Sequence, residues 1–137
     1  MFVSTLIKKT ARRLEKKANE LLKPYGITHA YTNFLMELYV QDGISQTELH
    51  QRIGIEQPTA VRNLDRMERD GFIMRKQSNI DRRVLHIYLT EKGQEVKEHV
   101  EAAAKQLNAL LLSGLNTDEQ CNFTHLLTRS LQNMDHP

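Results

Sequence analysis

Cysteine occurs once in these 137 residues, at Cys121, proline three times and glycine six times. One cysteine excludes an intramolecular disulfide, and so few turn-forming residues leave little room for an all-β fold made of many short strands. Eighteen consecutive apolar residues occur nowhere, so no segment reads as a membrane-spanning helix. The N-terminus, Met1-Phe2-Val3-Ser4-Thr5-Leu6-Ile7-Lys8-Lys9, has no apolar stretch of the length a signal peptide needs, which predicts a soluble, cytoplasmic chain with no membrane partner. Enzyme motifs are missing too: there is no G-x-S-x-G elbow, P-loop, H-E-x-x-H or C-x-x-C. The nearest acid and base, Asp81 and His86, are accounted for by hairpin geometry, so neither catalysis nor a cofactor is expected.

What is present is enough to fold. A hydrophobic fraction of 39%, mixed evenly with 26% charged residues, is too apolar for a disordered chain, and the length suits one domain. The net charge is only +2, but the charges are unevenly spread. Residues 1–23 carry seven Lys/Arg against two acids and residues 52–83 carry eight against five. Residues 24–51 have no Lys/Arg against three acids, and residues 84–137 have four against seven. The first basic excess reads as the solvated face of a helix, whereas the second coincides with a motif.

The periodicity is mostly helical. Ile7, Leu14, Ala18 and Leu21 mark an amphipathic helix from Leu6 to Leu22, stopped near Pro24 and Gly26. Thr28 caps a second helix with Tyr31, Phe34, Leu35 and Leu38 on its apolar stripe. Ser45-Gln46-Thr47-Glu48 has capping-box spacing and opens a short helix ending at Gly54. Pro58 fits the first turn of the next, in which Val61, Leu64 and Met67 form the expected buried stripe and Gly71 the stop. The period then falls to two over Phe72–Ser78 and Val84–Leu89, giving two antiparallel strands around the polar tip Asn79-Ile80-Asp81-Arg82-Arg83. Thr90 caps one long helix running to about Leu112, and a last helix follows Asn116-Thr117 with Phe123, Leu126, Leu127, Leu131 and Met134 as its apolar positions. The fold class is mainly α with a small β-hairpin: a helix-turn-helix followed by a wing, plus further helices.

On the second helix of that pair, Thr59, Arg62, Asn63 and Arg66 fall at i, i+3, i+4 and i+7. Arginine pairs bidentately with guanine, asparagine with adenine, and threonine meets phosphate or a thymine methyl, so the stripe suits the major groove. Arg82 and Arg83 at the hairpin tip suit a neighbouring minor groove. Asp81 beside them would repel phosphate, so it serves either as a turn residue or as the anion that orients one arginine.

These features together, with the helix end Leu64-Asp65-Arg66-Met67-Glu68-Arg69-Asp70-Gly71-Phe72-Ile73, the wing Asp81-Arg82-Arg83 and Leu89-Thr90-Glu91-Lys92-Gly93, resemble the MarR family of winged-helix transcription regulators. The resemblance implies a ligand-responsive repressor that reads double-stranded, pseudo-palindromic DNA as a homodimer. It implies DNA contacts from Gln57, Pro58, Thr59, Arg62, Asn63 and Arg66 and from the wing residues Asp81, Arg82 and Arg83. Glu56 departs from the serine-type cap frequent in the family. The implied single domain, 1–137, has its winged helix at 28–90 and its dimerisation helices at 1–27 and 91–137, with Ile7, Leu14, Leu21, Leu107, Leu110, Phe123, Leu127 and Leu131 at the dimer seam. A small-molecule effector is a further implication. Tyr25, His29, Tyr31, Phe34 and Tyr39 either line its pocket or pack in core and interface. Cys121 and His125 at i, i+4, and Glu95 with His99, have two-ligand spacing without a third ligand, so no metal is expected, and Cys121 reads as a buried small hydrophobe rather than a redox sensor. The competing function is a winged-helix protein-interaction module that does not bind DNA.

Overall fold

Three hydroxyls set the helical starts. Thr28, Ser45 and Thr90 each accept an amide hydrogen bond from three residues on, from Tyr31 (3.4 Å), Glu48 (3.1 Å) and Gly93 (3.1 Å). They open α2 (His29–Val40), α3 (Gln46–Ile53) and α5 (Glu91–Glu95) in the computed structural model, which describes residues 1–135. The reciprocal half of the capping box is absent at Ser45: the Glu48 carboxylate pairs with Arg52 at 2.6 Å instead. The remaining helices are α1 (Val3–Leu22), α4 (Gln57–Arg69), α6 (Lys97–Leu111) and α7 (Thr117–Asp135). A short 3-10 turn, Lys23–Tyr25, follows α1.

Strands β1 (Ile73–Gln77) and β2 (Leu85–Leu89) pair antiparallel, with Ile73 opposite Leu89 and Gln77 opposite Leu85. The segment before α3 adds a third, minimal rung: Ser45 bridges His86, the Gly43 amide donates to the Ile87 carbonyl and the Ile87 amide to the Ile44 carbonyl, both at 2.9 Å. The hairpin is thereby attached to the start of α3.

The chain forms two compact units, Met1–Ala104 and Lys105 onward. The core of the first gathers Leu22, Ile27, Tyr31, Phe34, Leu35 and Leu38 with Leu49, Ala60, Leu64, Met67, Phe72, Ile73, Ile87 and Val100. In the second, the loop before α7 is closed by a reciprocal cap, with the Glu119 amide donating to Asn116 Oδ1 and the Asn116 amide to Glu119 Oε1, each at 2.9 Å. Its groove of about 280 Å³ is lined by Leu111, Leu112, Phe123, Leu127 and Leu131.

Three expectations from the sequence are corrected. The apolar stripe of α4 is Ala60, Leu64 and Met67, with Val61 only half-buried, because i, i+4, i+7 spacing keeps 60, 64 and 67 on one helical face and leaves 61 at its edge. The helix opened by Thr90 is not continuous: α5 ends at Glu95 and α6 starts at Lys97, and the Gly93 carbonyl, whose helical partner would be the Lys97 amide, accepts instead from the Tyr39 hydroxyl at 2.7 Å. Cys121 is exposed, since α7 contains no buried residue in the single chain. Of the aromatic set, Tyr31 and Phe34 pack in the core, one of the roles left open for them, whereas Tyr25 is exposed in the single chain and stacks on His99 at 3.9 Å.

Candidate nucleic-acid interface

The buried positions of α4 leave an opposite face that runs along Gln57, Pro58, Arg62 and Arg66, all exposed, with Thr59 and Asn63 half-buried beside them. Arg62 donates to Thr59 Oγ1 at 3.4 Å, and the Asn63 carboxamide folds back onto the Thr59 carbonyl at 3.0 Å. Glu56 stands at the N-cap without making a side-chain cap bond. Among the described residues neither Arg62 nor Arg66 enters an ion pair, so both guanidinium groups remain available to an external anion.

The acids of α4 are neutralised elsewhere. Arg75, on β1, reaches Asp65 at 2.7 Å and Glu68 at 2.9 Å, and its own amide donates to the second Glu68 oxygen at 3.1 Å. The guanidinium hydrogen bond holds Glu68 below the usual carboxylate range, and the pair of acids pushes Arg75 up. At the end of α4, Asp70 accepts from the Tyr31 hydroxyl at 2.7 Å and from Arg69 at 3.1 Å, while Lys92 donates to the Asp70 carbonyl at 2.6 Å. Sequence reasoning missed this frame, although Asp65 and Glu68 lie three apart on one helical face with Arg75 seven residues further on.

Gly93 matters for the same frame. A Cβ there would collide with the Phe72 carbonyl and sit 3.1 Å from Leu89, so only glycine lets α5 close against the base of the hairpin.

At the hairpin tip, Ser78 Oγ accepts the amides of Ile80 (3.1 Å) and Asp81 (3.3 Å). Asp81 Oδ1 accepts both the amide (3.0 Å) and Nε (3.1 Å) of Arg83, and Oδ2 accepts its Nη2 at 3.1 Å. The Arg83 side chain is nevertheless 91% exposed. These bonds, the guanidinium first and the amide second, hold the Asp81 carboxyl below its ordinary range. Arg82 is exposed without an ion-pair partner among the described residues. The tip therefore presents two guanidinium groups, one of them fixed from behind.

Of the expected dimer residues, Leu14, Leu21 and Leu107 are half-buried, while Ile7, Leu110, Phe123, Leu127 and Leu131 are exposed, Leu131 at 63%. Within the first unit an open cleft of about 720 Å³ is lined by Asn19, Lys23, His29, Tyr31, Arg66 and Asp70 among others. No three His, Cys, Asp or Glu side chains converge as a metal site among the described residues. No helix among them is long and apolar enough to cross a membrane.

Residues 27–85 match the family model described as MarR family. An uncharacterized HTH-type transcriptional regulator of Bacillus subtilis, YwoH, is 29% identical over 126 residues, covering 92% of this chain and 91% of that protein. A MarR transcriptional regulator from Methanosarcina mazei superposes with a TM-score of 0.90 at 27% identity, over 96% of this chain and 95% of its own. The S. aureus MepR–DNA complex superposes with a TM-score of 0.91 at 26% identity, over 97% and 98%. The fold is thus the winged helix shared by these regulators.

Proposed function

We infer that this chain is a MarR-family winged helix-turn-helix regulator that binds duplex DNA. The observation that carries the reading is the pairing of two basic elements in one compact unit: the exposed Arg62 and Arg66 of α4, which pair with no carboxylate among the described residues, and the Asp81-braced Arg83 of the wing. A helix of this composition suits base edges in the major groove, and a guanidinium on a slender ribbon suits the minor groove. That a similar chain, MepR, was crystallised with DNA supports the assignment. In this reading Gln57, Pro58, Thr59, Arg62, Asn63 and Arg66 face the major groove, and the Asn63 carboxamide leaves the Thr59 carbonyl to meet a base.

The functional form is a homodimer, cytoplasmic and without catalytic activity. An exposed leucine and isoleucine on α1, and the exposed apolar positions of α7, need a second copy to cover them. Two recognition helices and two wings then read a pseudo-palindrome. The cleft beside Arg66 gives a small-molecule effector a way to act, because an occupant touching Asn63 and Arg66 draws on the same α4 residues that meet DNA. Repression follows where the operator overlaps a promoter.

The test is selection of bound duplexes from a random pool by the purified protein, followed by affinity measurement across a salt series. A reader gives a two-fold-related consensus and a steep negative slope in log salt. A protein-interaction module gives neither.

A further inference from the structure

Ile80 is the one apolar side chain between Met74 and Val84, and at 98% exposure it is more open to solvent than any other large hydrophobic residue of the chain. Nothing in the fold requires it. Turn tips favour Gly, Asn, Asp and Ser, and no non-glycine residue here has a positive φ that would demand a special side chain. Yet the position is fixed: the Ile80 amide is held by Ser78 Oγ, and the tip is closed by the Ser78 amide on the Val84 carbonyl (2.8 Å) and the Val84 amide on the Asp81 carbonyl (3.0 Å). A constrained loop thus holds out one branched apolar side chain, followed two and three residues on by Arg82 and Arg83.

A protein docking surface takes a contiguous apolar patch of a few hundred square ångströms, which a single isoleucine among polar neighbours does not form. A minor groove is different. It is a slot with apolar deoxyribose walls and anionic rims, and it accepts one aliphatic side chain when cations lie beside it. We propose that Ile80 is an affinity-determining DNA contact, packing against the sugar wall of the minor groove entered by Arg83. The proposal rests on the reading of the chain as a duplex binder. It assigns the wing two separable contributions: an electrostatic one from the arginines, and an apolar one from Ile80 that releases no counterion.

That separation supplies the experiment. Wild type, Ile80→Ser, Ile80→Leu and Arg83→Ala are titrated against the duplex that wild type selects, at four or more potassium chloride concentrations, with melting temperatures as a check on folding. Burial of part of an isoleucine side chain corresponds to about a tenfold loss for Ile80→Ser at every salt concentration. The slope in log salt stays at the wild-type value, and Ile80→Leu retains most of the affinity. Arg83→Ala, by contrast, lowers the slope. Ile80→Ser binding within twofold of wild type, or losing affinity only through a reduced slope, overturns the proposal while leaving the DNA-binding reading intact. Wild type showing no salt-dependent binding to any duplex overturns both.

Discussion

The Tyr31 hydroxyl donates a 2.7 Å hydrogen bond to the Asp70 carboxylate, joining the first turn of α2 to the residue that ends α4. A carboxylate at a helix C-terminus opposes the helix dipole, which by itself costs about 0.3–1 kcal/mol. Here Asp70 collects the Tyr31 hydroxyl and Arg69 around its side chain, so the unfavourable position becomes a fixed joint. The hydrogen bonds from Tyr31 and then Arg69 hold Asp70 below its ordinary range; burial first, then Asp70, pushes Tyr31 up to about 12.

Tyr31→Phe should therefore lower stability at pH 7 by about 1.5–3 kcal/mol, the range of a hydrogen bond to a charged group. The sign of the pH dependence follows from the two shifts. Asp70, with its folded value depressed, contributes above its ordinary pKa and loses that contribution as pH falls through the folded value. Tyr31, raised from 10.0 to about 12, contributes below 10.0 and loses its share as pH rises through that window. The gap between wild type and variant is widest near neutrality and narrows in acid and in strong alkali. Urea midpoints at pH 7 and below pH 4 measure it; a constant gap would remove the role assigned to the pair.

Arg75→Met keeps the aliphatic stem and deletes the clamp on Asp65 and Glu68. Pairs this exposed on the acid side contribute little to stability, about 1 kcal/mol together. Binding should suffer by a similar amount, because two carboxylates on α4 are then uncompensated near phosphate. A loss of about three- to tenfold in duplex affinity is expected, with part of it restored by Glu68→Gln in the same chain. If Glu68→Gln gives the same gain with Arg75 present as without it, the two residues do not act together.

The difference between what is legible in the sequence and what is not is one of range. Thr28, Ser45, Thr90, Gly54 and Gly71 act on their own helix ends, and local spacing is enough to find them. The face carrying Arg62 and Arg66 follows from helical periodicity, and the tip from the change of period. Tyr31 with Asp70, and Tyr39 with Gly93, are contacts across 39 and 54 residues. No periodicity encodes them, and the Tyr39 contact falls where the helix after Thr90 divides. Hydrophobicity alone favours Val61 over Ala60, whereas the i, i+4, i+7 spacing with Leu64 and Met67 puts position 60 on the buried face. Cysteine is most often a buried residue type, but a single chain has nothing to cover α7, and Cys121 stays exposed.

Leu127→Asp tests the dimer. Leu127 is exposed in the single chain, so a monomer would tolerate aspartate there with little loss of stability. An obligate interface of about 2,000 Å² or more would not, since an unpaired charge would be buried in it. The expected outcome is a monomeric or unfolded variant by sedimentation at micromolar concentration, against a dimeric wild type. The same test at Leu107, half-buried already, should be at least as severe. A wild type that sediments as a stable monomer refutes the assembly directly.

The wing offers the sharpest comparison, because Asp81 and Arg83 make opposite electrostatic predictions and one structural one. Arg83→Ala removes a cation and should weaken specific and non-specific binding together, lowering the salt slope by about one for each phosphate that is no longer neutralised. Asp81→Ala removes an anion, and Coulomb attraction to DNA alone would make it bind more tightly. The geometry argues otherwise: Asp81 grips Arg83 through Nε, Nη2 and the amide, so its loss frees a long side chain that must be ordered again on binding. Asp81→Ala should therefore bind more weakly than wild type, and in the Arg83→Ala background it should have little further effect or a slight gain, because only the repulsion is left to remove. The interaction energy in that double-mutant cycle measures the bracing directly. Tighter binding by Asp81→Ala in the presence of Arg83, at two salt concentrations, would reduce Asp81 to a turn residue and leave Arg83 to act unassisted.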